Sequence, residues 1–154
     1  MCLILFYVFF SLYKAVSSAK CVGHRGYSSK YPENTMMSMK EALMNNGSGI
    51  EMDLRLTKDN FSLERTTNGT GLVNRSTYKG YVEYLKAGES ESVPLLIDLL
   101  IWILYSHQKE CTVILDVKND NSLNILTAIN TIVDSLGIRA LERLKPIIII
   151  GVWD

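Results

Sequence analysis

The sequence predicts an α/β protein built around a parallel β-sheet. Short apolar segments typical of strands alternate with longer segments that carry apolar residues at helical spacing, as in a chain of strand–helix–strand units. Two of the strand segments contain the largely apolar runs VILDV and IIIIGV, which fit parallel strands buried on both faces. A length of 154 residues with 47% hydrophobic residues suits one domain with a sizeable core.

The first three elements are a strand, a helix and a strand: KCVG (20–23), TMMSMKEALMNNG (35–47) and GIEMDLRL (49–56). The helix carries methionine and leucine residues at intervals of three and four. Asn34 or Thr35 supplies its N-terminal cap, and Gly47 is expected to end it. The third segment alternates apolar and polar residues, which predicts a strand.

A polar, glycine- and asparagine-rich segment at about 60–92 interrupts this rhythm, and we interpret it as an insertion. Four elements follow it: the helix PLLIDLLIWILYSH (94–107), the strand CTVILDVK (111–118), the helix NSLNILTAINTIVDSLG (121–137) and the strand PIIIIGVW (146–153). Pro94 is compatible with the first turn of a helix, and Gly137 is a typical helix end. The predicted order is therefore β-α-β-(insertion)-α-β-α-β.

Residues 1–19 are expected to form a hydrophobic leader that precedes a folded domain at 20–154. The first 13 residues are apolar apart from Ser11, but a membrane span needs about 20 such residues. The small residues at 17–19 suit signal-peptide cleavage, although the usual positive start is missing. A signal peptide, a membrane anchor and a buried N-terminus stay open, and the first two predict a secreted or membrane-associated protein. Four Asn-x-Ser/Thr sequons matter only on the secretory route: Asn46, Asn60, Asn68 and Asn74.

Charge and cysteine content argue against nucleic-acid binding, a cysteine metal site and a disulfide framework. The chain has 16 basic and 16 acidic residues and no basic run, so we expect no nucleic-acid binding. Cys2, Cys21 and Cys111 are odd in number and show no C-x-x-C spacing. They therefore indicate neither a cysteine metal site nor a disulfide framework.

Polar residues occupy the ends of three predicted strands: His24 and Arg25 after the first, Glu51 and Asp53 in the second, and Asp116 and Lys118 in the third. Residues two apart on a strand point to the same face, and the ends of parallel strands meet at one edge of the sheet. Burying such groups costs several kcal/mol each unless they are paired. We therefore predict that these side chains form one cluster.

The chemistry of this cluster allows two interpretations. Three carboxylates form an all-oxygen site suited to Mg²⁺ or Ca²⁺, while Arg25 and Lys118 could hold an anion and His24 could transfer a proton. Together these groups suit cleavage of a phosphoester. The structural alternative is a set of salt bridges, such as Arg25 to Glu51 and Lys118 to Asp53.

The motifs GHRG....YPENT, GIEMDLRLTKD, LERTTNGTG, VPLLIDLL and ILDVK resemble those of the glycerophosphodiester phosphodiesterases, including the phosphatidylglycerol-directed phospholipase C branch. The resemblance runs from about Cys21 to the C-terminus. It implies a phospholipase-C-like TIM barrel of the (β/α)8 type, with a small insertion after the second strand. It also implies metal-dependent hydrolysis of a glycerophosphodiester or phospholipid substrate in lipid metabolism.

The resemblance also assigns roles to individual residues. It makes His24 a catalytic acid or base and Arg25 a catalytic residue that grips the phosphate, with Lys118 as a second phosphate contact. The implied ligands of the divalent cation are Glu51, Asp53 and Asp116. Glu33 and Asn34 would lie in the motif loop that shapes the site.

Two departures from the family pattern predict weak or lost turnover. The strand ending in His-Asp that the family carries between TKD and RTT is missing, so one of two acid–base groups is absent. His107 is not expected to replace it, because helix ends lie opposite the catalytic end of a barrel. A full barrel takes about 250 residues, so only about its first half is expected here, with open edges that favour self-association. The alternatives are a catalytically dead metal- or phosphate-binding fragment, a regulatory module, and a non-enzymatic module held by salt bridges.

Overall fold

A computed structural model describes residues 20–60, 62–63, 67–69, 71–106 and 111–152. The leader at 1–19, His107 and the last two residues lie outside these ranges, so the expectations for them stay predictions. Within the described part of the chain, no helix combines the length and apolar character needed to cross a bilayer.

The described elements follow the predicted alternation of strands and helices. In chain order they are β1 (Val22–Gly23), α1 (Met36–Met44), β2 (Gly49–Leu56), β3 (Ser62–Leu63), β4 (Lys86–Ala87), β5 (Glu91–Ser92), α2 (Leu96–Tyr105), β6 (Thr112–Val117), α3 (Asn124–Ser135), α4 (Ile138–Leu144) and β7 (Ile148–Val152). Two single-turn 3₁₀ helices lie between β3 and β4, at Val73–Arg75 and Val82–Tyr84. The sequence did not predict β3, the β4–β5 hairpin or α4.

Four parallel strands form the main sheet in the order β1-β2-β6-β7, and β3 pairs antiparallel with the end of β2. The register between β2 and β6 runs from Gly49 opposite Thr112 to Leu54 opposite Val117. This register places Asp53 directly opposite Asp116, so their side chains lie next to each other on one face.

The helices cover one face of the sheet, and the main core lies between the helices and this face. That face presents alternate residues of the two central strands: Ile50, Met52 and Leu54 of β2, and Val113, Leu115 and Val117 of β6. The helical residues in the same core include Met39, Leu43, Leu96, Leu99, Leu100, Ile103, Ile125, Ile129, Val133 and Leu144. The intervening strand residues, which include Glu51, Asp53 and Asp116, point to the opposite face. This arrangement, with the helices outside and the polar side chains inside, is that of a β/α barrel wall.

The prediction that the last strand is buried was wrong. Ile149, Ile150 and Val152 of β7 are 53%, 45% and 63% exposed. Among the described strands, β7 pairs only with β6, so one of its edges has no neighbour. An apolar run indicates a preference for burial, whereas burial itself requires neighbouring elements that cover both faces of the strand.

The helix ends show how local sequence sets the connections. Thr35 caps α1 as predicted: its hydroxyl accepts the Ser38 N–H at 3.1 Å, and the Ser38 hydroxyl accepts the Thr35 N–H at 3.2 Å. The helix ends at Met44 rather than at Gly47, because Asn46 already adopts a left-handed φ of +66°. Gly137, at φ +86°, separates α3 from α4, so the predicted helix end there is confirmed.

Candidate active site

The three predicted carboxylates lie together on the inner face of the sheet. Glu51, Asp53 and Asp116 each place one oxygen within 4.8 Å of the other two, and all three residues are buried. The clustering follows from strand geometry. Glu51 and Asp53 are two residues apart on β2, and the β2–β6 register puts Asp116 beside Asp53.

Lys118 lies on two of these carboxylates. Its Nζ is 2.5 Å from Asp53 Oδ1 and also contacts Asp116 Oδ2. Burial alone would lower the pKa of Lys118, but the hydrogen bonds to Asp116 and Asp53 outweigh it, so the pKa is raised. Lys118 is therefore held in its charged form within the cluster.

The loop that carries His24 and Arg25 packs tightly on the first turn of α1. Gly26 has a φ of +79°, and a Cβ at this position would lie 2.5 Å from the Ser38 Oγ. The Ser38 hydroxyl donates to the Arg25 carbonyl at 3.1 Å, and the Tyr27 N–H donates to the Ser38 carbonyl at 2.9 Å. The close approach requires glycine, and it brings the backbone of the His-Arg pair to β2.

Arg25 connects this loop to the carboxylates by backbone and side chain. Its N–H donates to Glu51 Oε2 at 2.8 Å. Its Nε is 3.3 Å from Asp53 Oδ2, and its guanidinium binds Glu33 at 3.0 Å. About a third of the Arg25 side chain stays exposed, so it borders both the buried carboxylates and solvent.

Asn34 holds Asp53 from the other side. It is 1% exposed and adopts a left-handed φ of +57°. Its Oδ1 accepts the Asp53 N–H at 3.2 Å, and its Nδ2 is 3.5 Å from Asp53 Oδ2. Because β1 ends at Gly23, the amide of Asn34 takes the place of a strand neighbour for the Asp53 backbone.

His24 is the most exposed group of the cluster. Its side chain is 74% exposed, and its Nε2 lies 3.9 Å from Glu51 Oε2. This distance exceeds a hydrogen bond, so the ring lies beside the carboxylates and can exchange protons with solvent.

The structural alternative is observed in part. The predicted pair between Lys118 and Asp53 forms, but the guanidinium of Arg25 contacts Asp53 and Glu33, and only its backbone N–H reaches Glu51. Among the described residues, no arginine or lysine forms a salt bridge with Glu51, whose ion-pair partner is the His24 ring at 3.9 Å. Salt bridges among these groups therefore do not account for Glu51.

Two buried oxygens of the cluster suit a divalent cation. Glu51 Oε1 and Asp116 Oδ1 are buried and have no hydrogen-bond partner among the described residues. Burial raises the pKa of Glu51, and the nearby charge of Asp53 raises it further, although the Arg25 N–H opposes both. Oxygens on opposite sides of Ca²⁺ lie about 4.6–5.2 Å apart, so carboxylates within 4.8 Å can share one ion.

The structure adds residues that the sequence analysis missed. Arg55 is the third inward residue of β2 after Glu51 and Asp53, and the two-residue spacing could have identified it. Its Nε lies 3.2 Å from Asp120 Oδ2. The Asn121 amide donates to the Leu54 carbonyl at 2.8 Å and accepts the Leu56 N–H at 2.7 Å. No local pattern identifies these contacts of Asn121, because its two partners on β2 are 65 and 67 residues away in the chain.

Comparison with known proteins assigns the family. The profile of the Glycerophosphoryl diester phosphodiesterase family matches residues 24–100, half of the chain, from His24 into α2. The chain belongs to this family. A glycerophosphodiester phosphodiesterase from Bacillus altitudinis is 35% identical over 117 residues, which cover 68% of this chain and 46% of the relative. The chain thus spans about half the length of this curated relative.

Solved glycerophosphodiester phosphodiesterase structures share the fold. The enzyme from Agrobacterium tumefaciens aligns with a TM-score of 0.68 at 22% identity, over 88% of this chain and 58% of its own. A phosphodiesterase from Oleispira antarctica, solved with the product sn-glycerol-3-phosphate, aligns with a TM-score of 0.67 at 22% identity, over 87% of this chain and 65% of its own. These likenesses confirm the predicted TIM-barrel class and the coverage of about half a barrel.

Proposed function

We propose that this chain acts on glycerophosphodiesters with a bound divalent cation, Mg²⁺ or Ca²⁺. The observation that carries the proposal is the convergence of Glu51, Asp53 and Asp116 within 4.8 Å, beside two permanent cations and His24. Membership of the glycerophosphoryl diester phosphodiesterase family supports the same substrate class. In the proposed reaction, water cleaves the bond between phosphorus and the headgroup oxygen, which yields glycerol 3-phosphate and an alcohol.

The residues of the site have distinct roles in this proposal. Glu51, Asp53 and Asp116 hold the cation, which when bound neutralises a non-bridging phosphate oxygen. Arg25 and Lys118 bind the remaining phosphate oxygens, since both present positive charge at the edge of the carboxylate cluster. His24 moves the proton, because its imidazole ring is exposed beside the carboxylates.

A second candidate function is metal and phosphate binding without turnover. It is favoured by the histidine content: the sequence has only His24 and His107, and His24 is the one histidine in the described residues. Two proton transfers are needed, one from the nucleophile and one to the leaving oxygen, and a single histidine serves both only slowly. We therefore expect weak turnover or none.

The location and assembly of the chain are part of the proposal. The apolar leader at 1–19 supports delivery to a membrane or to the secretory pathway, where a lipid-derived substrate would be available. The exposed apolar residues of β7 support self-association along the open edge of the described sheet.

A cation titration followed by thermal unfolding tests the site first. The wild-type chain should be stabilised by about 2.7 kcal/mol once Ca²⁺ or Mg²⁺ reaches a hundred times its Kd. Asp53→Asn should abolish this shift, whereas Asp134→Asn, on the exposed surface of α3, should keep it. A wild-type chain that no divalent cation stabilises would contradict the proposal.

Product formation then separates the two candidate functions. The wild-type chain is incubated with glycerophosphocholine and saturating cation, and release of glycerol 3-phosphate is measured. Slow release that His24→Ala abolishes supports the hydrolase. Cation-dependent ligand binding without release supports the binding function, and full release by His24→Ala contradicts the role given to this residue.

A further inference from the structure

Arg55 occupies a prominent position above the carboxylate cluster that the proposed function does not use. It follows Glu51 and Asp53 on the inner face of β2, about 6.6–6.8 Å beyond Asp53 at the usual rise of a strand. The residue is 9% exposed, although it carries a full positive charge. Its neighbour on β6 is Lys118, because Leu54 pairs with Val117 immediately before them.

The guanidinium of Arg55 uses only part of its hydrogen-bonding capacity. Its Nε donates to Asp120 Oδ2 at 3.2 Å, and its two terminal nitrogens donate to no atom of the described residues. The Arg55 side chain is 11% exposed, so part of it borders solvent. An arginine held only to stabilise Asp120 would normally use its two-pronged face, which is the stronger geometry.

The backbone around this pair is fixed. The Asn121 side chain bonds to Leu54 and Leu56, the two residues that flank Arg55. The Asn74 amide donates to the Asp120 carbonyl at 2.9 Å. Asp120 and Arg55 are therefore held at a set position relative to the carboxylates, as a binding group must be.

We propose that Arg55 binds an acidic group in the headgroup of the substrate, and that it makes the site selective for glycerophosphodiesters with an anionic headgroup. With the scissile phosphate on Arg25 and Lys118, Arg55 lies beside Lys118 on the same face, one inward-facing residue beyond Asp53 on β2. A carboxylate in the headgroup can accept N–H groups from both terminal nitrogens of its guanidinium. Asp120 holds Nε and orients the guanidinium. This inference rests on the proposed function.

A matched pair of ligands tests the selectivity. Glycerophosphoserine and glycerophosphoethanolamine differ only by one carboxylate, and their binding is measured by isothermal titration calorimetry with saturating Ca²⁺. We expect the wild-type chain to bind glycerophosphoserine about tenfold more tightly, equivalent to about 1.4 kcal/mol. Arg55→Gln should bind both ligands with the affinity that the wild-type chain has for glycerophosphoethanolamine. Arg139→Gln, an exposed change on α4, controls for the loss of one positive charge and should keep the preference.

A second variant guards against misfolding of Arg55→Gln. Asp120→Asn keeps Arg55 but removes the charge that partly neutralises it, so its preference for glycerophosphoserine should exceed that of the wild-type chain. Equal binding of both ligands by the wild-type chain would overturn the inference and leave the proposed function intact. The inference would also be overturned if Arg55→Gln kept the wild-type preference for glycerophosphoserine, or if Asp120→Asn showed a smaller preference than the wild-type chain. Failure of both ligands to bind in the presence of Ca²⁺ would overturn the proposed function, and this inference with it.

Discussion

Replacing Asn34 tests whether its buried amide organises the carboxylate cluster. In Asn34→Ala, the Asp53 N–H loses the acceptor that lies 3.2 Å away, at a site where Asn34 is 1% exposed. Leaving a buried N–H unsatisfied costs about 1–3 kcal/mol. Alanine at the left-handed φ of +57° adds about 1–2 kcal/mol, since it has a Cβ and no local hydrogen bond.

The two contributions can be separated by a second substitution. Asn34→Gly removes the same hydrogen bonds but adopts the left-handed φ without strain, so it should lose only about 1–3 kcal/mol. Asn34→Ala should lose about 2–5 kcal/mol, which lowers the Tm of a chain of this size by roughly 4–20 °C. Asn130→Ala, an exposed asparagine that bonds Asp134, should change stability by less than about 0.5 kcal/mol.

Urea unfolding gives these free energies, and calorimetric titration with Ca²⁺ gives the effect on the site. If Asn34 positions Asp53, both Asn34 variants should bind Ca²⁺ about 10- to 100-fold more weakly than the wild-type chain. The weaker Ca²⁺ binding should be observed at temperatures at which both variants remain folded. Wild-type stability and wild-type Ca²⁺ affinity in Asn34→Gly would refute the reasoning.

Three other predictions follow from single contacts. In urea unfolding, Gly80→Ala should lose roughly 1–2 kcal/mol of stability, the cost of a left-handed alanine, because the space around its Cβ is open. Gly26→Ala, at a similar φ, should lose well over that amount, because its Cβ would also meet Ser38. Equal losses would contradict the close approach. Lys118→Met should bind Ca²⁺ more tightly in calorimetry, because the lysine ammonium no longer competes with Ca²⁺ for Asp53. Weaker binding would show instead that Lys118 holds the carboxylates in position. The pKa of Asp59 is lowered in the folded chain, because hydrogen bonds outweigh its desolvation, so its stabilisation is present above about pH 4 and lost as pH falls. The Tm deficit of Asp59→Ala should therefore narrow between pH 6 and pH 3, and a constant deficit would contradict it.

Sequence alone predicted the part of the site that depends on local spacing. The bounds of β2 were predicted as they occur, because its residues have strong strand patterning and lie between turn-forming segments. Glu51 and Asp53 had to share a face once that strand existed. Asp116 joined them because parallel strands of an α/β fold meet at one edge, and the helical cap at Thr35 followed from an equally local rule.

The features that the sequence did not predict depend on contacts between distant residues. Asn121 contacts β2 across more than 60 residues, and nothing in its own neighbourhood distinguishes it from a loop asparagine. The exposure of β7 depends on which elements pack against its faces, although its composition is that of a core strand. Arg55 was missed for another reason: its spacing was visible, but only the position of Asp120 shows how much of its guanidinium stays available.

The position of Glu51 is the strongest argument that the carboxylate cluster has a function beyond stability. A buried ion pair is at best about neutral for stability compared with apolar residues of similar size, so a buried cluster of three carboxylates is a poor way to stabilise a sheet. Among the described residues, no arginine or lysine forms a salt bridge with Glu51, which contacts the His24 ring at 3.9 Å and the Arg25 N–H at 2.8 Å. A divalent cation would supply positive charge at this position. It also reaches the two oxygens, Glu51 Oε1 and Asp116 Oδ1, that no donor among the described residues satisfies. The excess of acid at this face is therefore better explained by a bound cation than by salt bridges.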